Sequence, residues 1–212
     1  MTVSQTHVLA RAERTDFADL LDELTPRQWT SPSLCDGWSV RDVAAHTVAY
    51  LGQSRAQLVL NMIRSGWNVD RLNVRGVRDY VGTPPAALAK LVRAGAEPSG
   101  AGALYGGRVA LIECLIHQQD VRRAVGKLRV IPEARLQVSL DYARISPVLA
   151  GAYRTRGVRL VATDISWVAG RGPDVRGPAE TLLLAMTGRI ANVHDELRGD
   201  GVAVLESRYL RG

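Results

Sequence analysis

The chain is 212 residues long, 46% hydrophobic and 23% charged, with a formal net charge of +6. That size and balance suit one large globular domain or two small ones, and no apolar run approaches the roughly 18 residues that span a bilayer. Met1 to Arg14 lacks the apolar centre of a secretory signal and the two cysteines, Cys35 and Cys114, are too few for a disulfide framework, so the chain reads as cytoplasmic, with both thiols as small buried hydrophobes.

The first two-thirds carries helical periodicity. Leu9, Ala12, Phe17, Leu20, Leu21 and Leu24 fall on one face of a helix over residues 8–24, ended by Thr25-Pro26. A loop rich in Ser, Pro and Gly runs from Gln28 to Trp38. Ser39 then reads as an N-cap with Asp42 three residues on, opening a helix through Val40, Val43, Thr47, Tyr50 and Leu58 to about Ile63. Residues 66–82 read as an irregular connection. Pro84-Pro85 begins a third helix to about Ala94, and a Gly- and Ala-rich linker precedes a central helix from about Gly107 to Val125, stopped by Gly126. Pro132 begins another helix to about Tyr153, kinked or split at Pro147. Beyond Arg156-Gly157 the pattern changes: strands at residues 158–162 and 165–169, a helix from Glu180 to about Leu197, and a last strand at residues 202–205. A helical block followed by a strand-containing block predicts a helical bundle over residues 1–155 and a small α/β domain over 156–212.

The central helix carries an anomaly. Glu113 and His117 are four residues apart and share a face; at about 100° per residue Asp120 lies about 20° from Glu113 on one side and His117 about 40° on the other. Val109, Ala110, Ile116, Val121 and Ala124 fall beside them, so the polar group sits inside the apolar stripe. An unpaired buried carboxylate beside an imidazole is costly, and a metal ion is one candidate for the compensation. Helical bundles build such sites from inward-facing side chains, which calls for a ligand from another helix. Of the four histidines, His7 lies near the N-terminus and His194 next to Asp195 and Glu196, which leaves His46, on the flank of its helix's apolar stripe. Two His and one Glu suit a divalent transition metal with an open coordination position, zinc by default, with nickel, iron or manganese compatible. Asp120 is placed to accept a hydrogen bond from a ligand and orient it. The bland alternative is a hydrogen-bonded Glu–His pair without metal.

Three segments also carry a resemblance. The run from Cys35 through Asp36, Gly37, Trp38, Ser39, Val40, Arg41 and Asp42 to His46 resembles the segment of mycothiol-dependent maleylpyruvate isomerase-like proteins that ends in their first metal ligand. Glu113 to Asp120, followed by residues 121–126, is similar to their second segment, and residues 177–189 to the helix opening of their C-terminal α/β domain. The chain departs from the family pattern at Gln119, Ala185 and Met186, where aromatics are common. The resemblance implies a DinB-like four-helix bundle with His46, Glu113 and His117 as metal ligands, zinc as the ion and mycothiol as thiol cosubstrate. It further implies a nucleophilic metal-activated thiol that isomerises a small electrophilic substrate about a double bond or is transferred to one.

The leading expectation is therefore a metal-dependent thiol transferase or isomerase. No general acid or substrate clamp is identified; Arg189 and Arg208 could pair with a carboxylate but read first as ordinary surface or structural arginines. The alternative is a non-catalytic metal- or ligand-binding bundle with a stress-related sensing role, favoured if Cys35 or Asp42 closes the coordination sphere. A basic DNA-associated protein is the third reading. The arginines, 25 against Lys90 and Lys127, are scattered without interleaved aromatics, which argues against nucleic acid.

Overall fold

The computed structural model describes residues 3–51 and 53–209. The chain divides into two compact units, Met1–Arg129 and Val130–Gly212. In the first, helix α1 (Val3–Asp22) packs on α6 (Pro85–Ala94) and α7 (Arg108–Ala124), and α3 (Val40–Leu51) packs on the same two. These four form a bundle around Phe17, Leu20, Leu21, Val43, Ala44, Leu88, Val92, Cys114 and Val121, all at most 4% exposed. The residues that carried the helical periodicity are those that face the core.

Local chemistry sets the helix ends. Thr25 caps the short helix α2 (Pro26–Trp29) with Gln28 completing a capping box. The Ser39–Asp42 box forms as expected: Ser39 N donates to Asp42 Oδ2 at 3.0 Å and Asp42 N to Ser39 Oγ at 3.2 Å. The single helix expected from residue 40 to about 63 is two. Ser54 opens α4 (Arg55–Arg64) with its own capping box to Gln57, a stop-and-restart that an apolar pattern running through both helices hides. The stretch read as irregular contains α5 (Val69–Arg78), capped by Asn68; its arginines and exposed valines mask a period that buries Leu72 alone. α7 ends as predicted. Gly126 adopts φ +71°, Lys127 N donates to Arg122 O at 2.9 Å and Gly126 N to Arg123 O at 3.4 Å, the paired bonds of a glycine-terminated helix.

Two buried charges tie the bundle together. Arg14 is 0% exposed and its Nη1 donates to the carbonyls of Gly95, Ala96 and Glu97 just past the end of α6. Glu13, also 0% exposed, pairs with Arg129.

The second unit begins earlier than expected, at residue 130 rather than near 155. Helix α8 (Glu133–Ile145), read as the last helix of the bundle, packs on α10 (Ala179–Met186) and on the short α9 (Gly151–Arg154). Pro147 does split the helical run: Ser146 is extended and Ala150 takes φ +52° before α9. Strands β1 (Arg159–Ala162), β2 (Val168–Gly170) and β3 (Asp174–Gly177) form a sheet ordered β2-β1-β3, with β1 antiparallel to β2 and parallel to β3. The helix expected to reach Leu197 stops at Met186, where Gly188 (φ +92°) turns the chain into α11 (Ile190–Val193). Residues 202–205, expected as a strand, begin α12 (Val202–Tyr209). A four-residue apolar run carries no period long enough to separate strand from helix, and here Leu205 alone is buried.

Candidate metal centre

Two facing helices and one loop build the centre. α7 presents Glu113, His117 and Asp120 on one face, and α3, packed against it, presents His46. Glu113 Oε2 lies 3.5 Å from His117 Nε2 and 3.9 Å from His46 Nε2. The three donor atoms all fall within 4.8 Å of one another. Ligands at about 2.0–2.1 Å around a tetrahedral zinc stand about 3.4 Å apart, so a divalent ion fits this donor set with small side-chain adjustments. Both histidines are buried, at 5% and 9% exposure, and Glu113 is partly accessible.

Asp120 lies behind His117. It is 0% exposed, and its Oδ2 stands 3.0 Å from His117 Nδ1. With the Nδ1 proton held on Asp120, loss of the Nε2 proton to an incoming cation would leave the Nε2 lone pair facing Glu113 and His46, as a metal ligand requires. The imidazoles pack edge to face, with His46 and His117 centroids 4.8 Å apart at 83°. Trp38 and Tyr50 flank His46 at 5.1 and 6.2 Å.

The electrostatics favour a cation. Burial opposes the charge on Glu113, but hydrogen bonds from His117 and His46 and the positive charge they carry outweigh it, and the carboxyl lies well below the usual range. Burial likewise opposes charge on His117, yet its bonds to Asp120, Cys35 and Glu113 raise it well above the usual imidazole value. The two carboxylates thus stabilise positive charge on the His117 ring between them.

The loop contributes Cys35, read from the sequence first as a buried hydrophobe and otherwise as a candidate fourth ligand. Cys35 is half-buried, unlike Cys114 at 0% exposure in the core. Its Sγ donates to Asp120 Oδ2 at 3.0 Å and lies 3.9 Å from His117 Nδ1. The loop holds it there: Ser33 N donates to Trp38 O, Trp38 N to Cys35 O, and Leu34 N to Asp120 O. Loops carry no periodicity, so no sequence pattern points Cys35 at α7; only its place in the run leading to His46 marks it. Cys35 stands on the Nδ1 side of His117, away from the Nε2 side that faces Glu113 and His46. Asp42 is engaged in the helix cap of Ser39. Neither therefore adds a fourth ligand to the His46–Glu113–His117 set. His7 and His194 are not part of any three-donor group among the described residues. Gln119, where the family it resembles often carries an aromatic, accepts from Arg129 Nε at 3.0 Å, beside the Glu13 pair.

Comparisons with known proteins agree with this architecture. Residues 10–99 match the family described as the mycothiol maleylpyruvate isomerase N-terminal domain, a span that includes His46 and stops short of α7. Among solved structures the chain is similar to a crystal structure of the mycothiol-dependent maleylpyruvate isomerase, with a TM-score of 0.62 at 18% identity over 94% of this chain and 93% of that one. A histidine-to-alanine mutant of that isomerase matches over the same shares at 0.63 and 18%. That likeness establishes the fold: the bundle followed by a small α/β unit is the architecture expected above. No curated protein sequence matches significantly.

Proposed function

We propose that this chain, which belongs through its N-terminal bundle to the mycothiol maleylpyruvate isomerase family, is a divalent-metal-dependent enzyme that uses a low-molecular-weight thiol of the mycothiol type. It would act on a small electrophilic substrate as a thiol transferase or cis–trans isomerase. One observation carries the reading: His46 Nε2, Glu113 Oε2 and His117 Nε2 converge from two helices within 4.8 Å, with no further side chain of the described residues in that donor group. Three protein ligands with an open position mark catalytic rather than structural sites. The solved structures similar to this chain are of a mycothiol-dependent maleylpyruvate isomerase, a protein that pairs such a thiol with an isomerisation.

His46, Glu113 and His117 would hold the ion. A divalent metal there supplies Lewis acidity, which lowers the pKa of a coordinated thiol. Two imidazoles and a carboxylate suit zinc, and nickel fits the same set. Asp120 fixes the His117 ring and tautomer, and Cys35 spends its S–H on the second contact to the Asp120 carboxylate. Trp38 and Tyr50 pack beside His46 and limit water on that side.

The test is metal analysis of the purified protein followed by a conjugation assay with mycothiol and a panel of electrophiles. Thiol consumption that depends on metal supports an enzyme. Metal- and thiol-dependent cis–trans conversion without net thiol consumption supports the isomerase arm, and a metal-loaded protein that does neither with any substrate supports the non-catalytic binding bundle instead.

A further inference from the structure

The second unit contains its own cavity, of about 800 Å³. That is within the usual range for small-molecule sites, about 300–1,000 Å³. Three guanidiniums line it, from Arg154, Arg156 and Arg208, together with an apolar wall that includes Ala185, Ile190 and Leu205. Among the described residues no Asp or Glu lines it. Like charges brought together repel one another, and among the described lining residues no acidic side chain offsets these three.

The arginines are held but not neutralised. Arg154 Nη1 donates to the Leu149 carbonyl, and the Arg156 guanidinium lies over the Tyr153 ring, 5.9 Å from its centroid. Arg208 Nη1 is buried and has no hydrogen-bond partner among the described residues. A buried donor left unsatisfied is costly, more so when charged. Two glycines leave space for the guanidiniums: a Cβ on Gly157 would come within 3.1 Å of Arg208 Nη2, and one on Gly188 within 3.5 Å of Arg154 Nε. Both glycines take positive φ, at +83° and +92°. Burial and the adjacent Arg189 charge lower the Arg154 pKa, in keeping with positive charge that lacks an anion.

We propose that this cavity binds a small organic carboxylate, with its charged end on Arg208 and its apolar body against Ala185, Ile190 and Leu205. Guanidinium suits the planar carboxylate through paired N–H donors. The apolar wall selects an organic acid over an inorganic anion. No residue that lines it belongs to the His46–Glu113–His117 set.

Isothermal titration at low salt with benzoate tests this, with benzamide as the neutral isostere and inorganic phosphate as the bare anion. Benzoate should bind one to one, at least about tenfold tighter than either comparator. Arg208→Gln should weaken benzoate about tenfold or more, while His117→Ala should bind it as the wild type does. In the wild type, benzoate should shift backbone amide resonances within residues 150–157 and 185–209, a measurement that stands even if Arg208→Gln fails to fold. No benzoate binding, unchanged affinity in folded Arg208→Gln, phosphate binding as tight as benzoate, loss of binding in His117→Ala, or resonance shifts confined to the first unit would each overturn the proposal.

Discussion

Replacing Asp120 by Asn isolates the contact that orients His117. The change removes one charge and almost no volume from a site that is 0% exposed. It weakens two contacts of 3.0 Å, from His117 Nδ1 and from Cys35 Sγ. Both contacts fall on one carboxylate oxygen; an asparagine oxygen there still accepts them but without the charge, so the imidazole is held in its tautomer less firmly. Loss of such an outer partner costs about 10–100-fold in metal affinity, equivalent to about 1.4–2.8 kcal/mol. The backbone bond from Leu34 N to Asp120 O survives, so the loop stays docked. The assay is a competition titration against a chelator at fixed pH, with circular dichroism as the check on folding. Asp42→Asn is the control: it weakens the α3 cap, costing about 1 kcal/mol of stability, and leaves metal affinity unchanged. Wild-type affinity in folded Asp120→Asn would refute the claim that His117 ligates through Nε2 with Asp120 behind it.

Cys35→Ala should lower metal affinity by less than Asp120→Asn, because it removes one neutral donor from the carboxylate. Cobalt-substituted wild type should show no sulfur-to-metal charge-transfer band; such a band would make Cys35 a ligand. Arg129→Leu removes the ion-pair partner of the buried Glu13 carboxylate. It should destabilise the first unit by about 3–5 kcal/mol, read as a lower denaturant midpoint, without altering the metal stoichiometry of protein that remains folded.

The centre was legible where helical arithmetic reaches. Glu113, His117 and Asp120 share a face because they fall on one helical row, and Gly126 ends that helix with φ +71° as its type predicts. His46 followed because few histidines face inward. Cys35 was not legible, since a loop places it through backbone bonds of Ser33, Leu34 and Trp38 that depend on tertiary contact with α7. The break at Ser54 was missed because apolar residues continue on both sides of it. α12 was misread because its apolar run, residues 202–205, is too short to show a period, and Gly201 backs directly onto β3, within 2.7 Å of Val175 for an added Cβ. The boundary of the second unit moved because α8 buries its apolar face on α10, a choice of partner that the amphipathic pattern leaves undetermined.

The most direct test of the central claim is the metal content of the purified protein after reconstitution with zinc or nickel, measured by elemental analysis beside His46→Ala, Glu113→Ala and His117→Ala. The account predicts one divalent ion per chain in the wild type and loss of that ion in each folded variant. A wild type that holds no ion, or a His117→Ala protein that holds one as tightly, would contradict it.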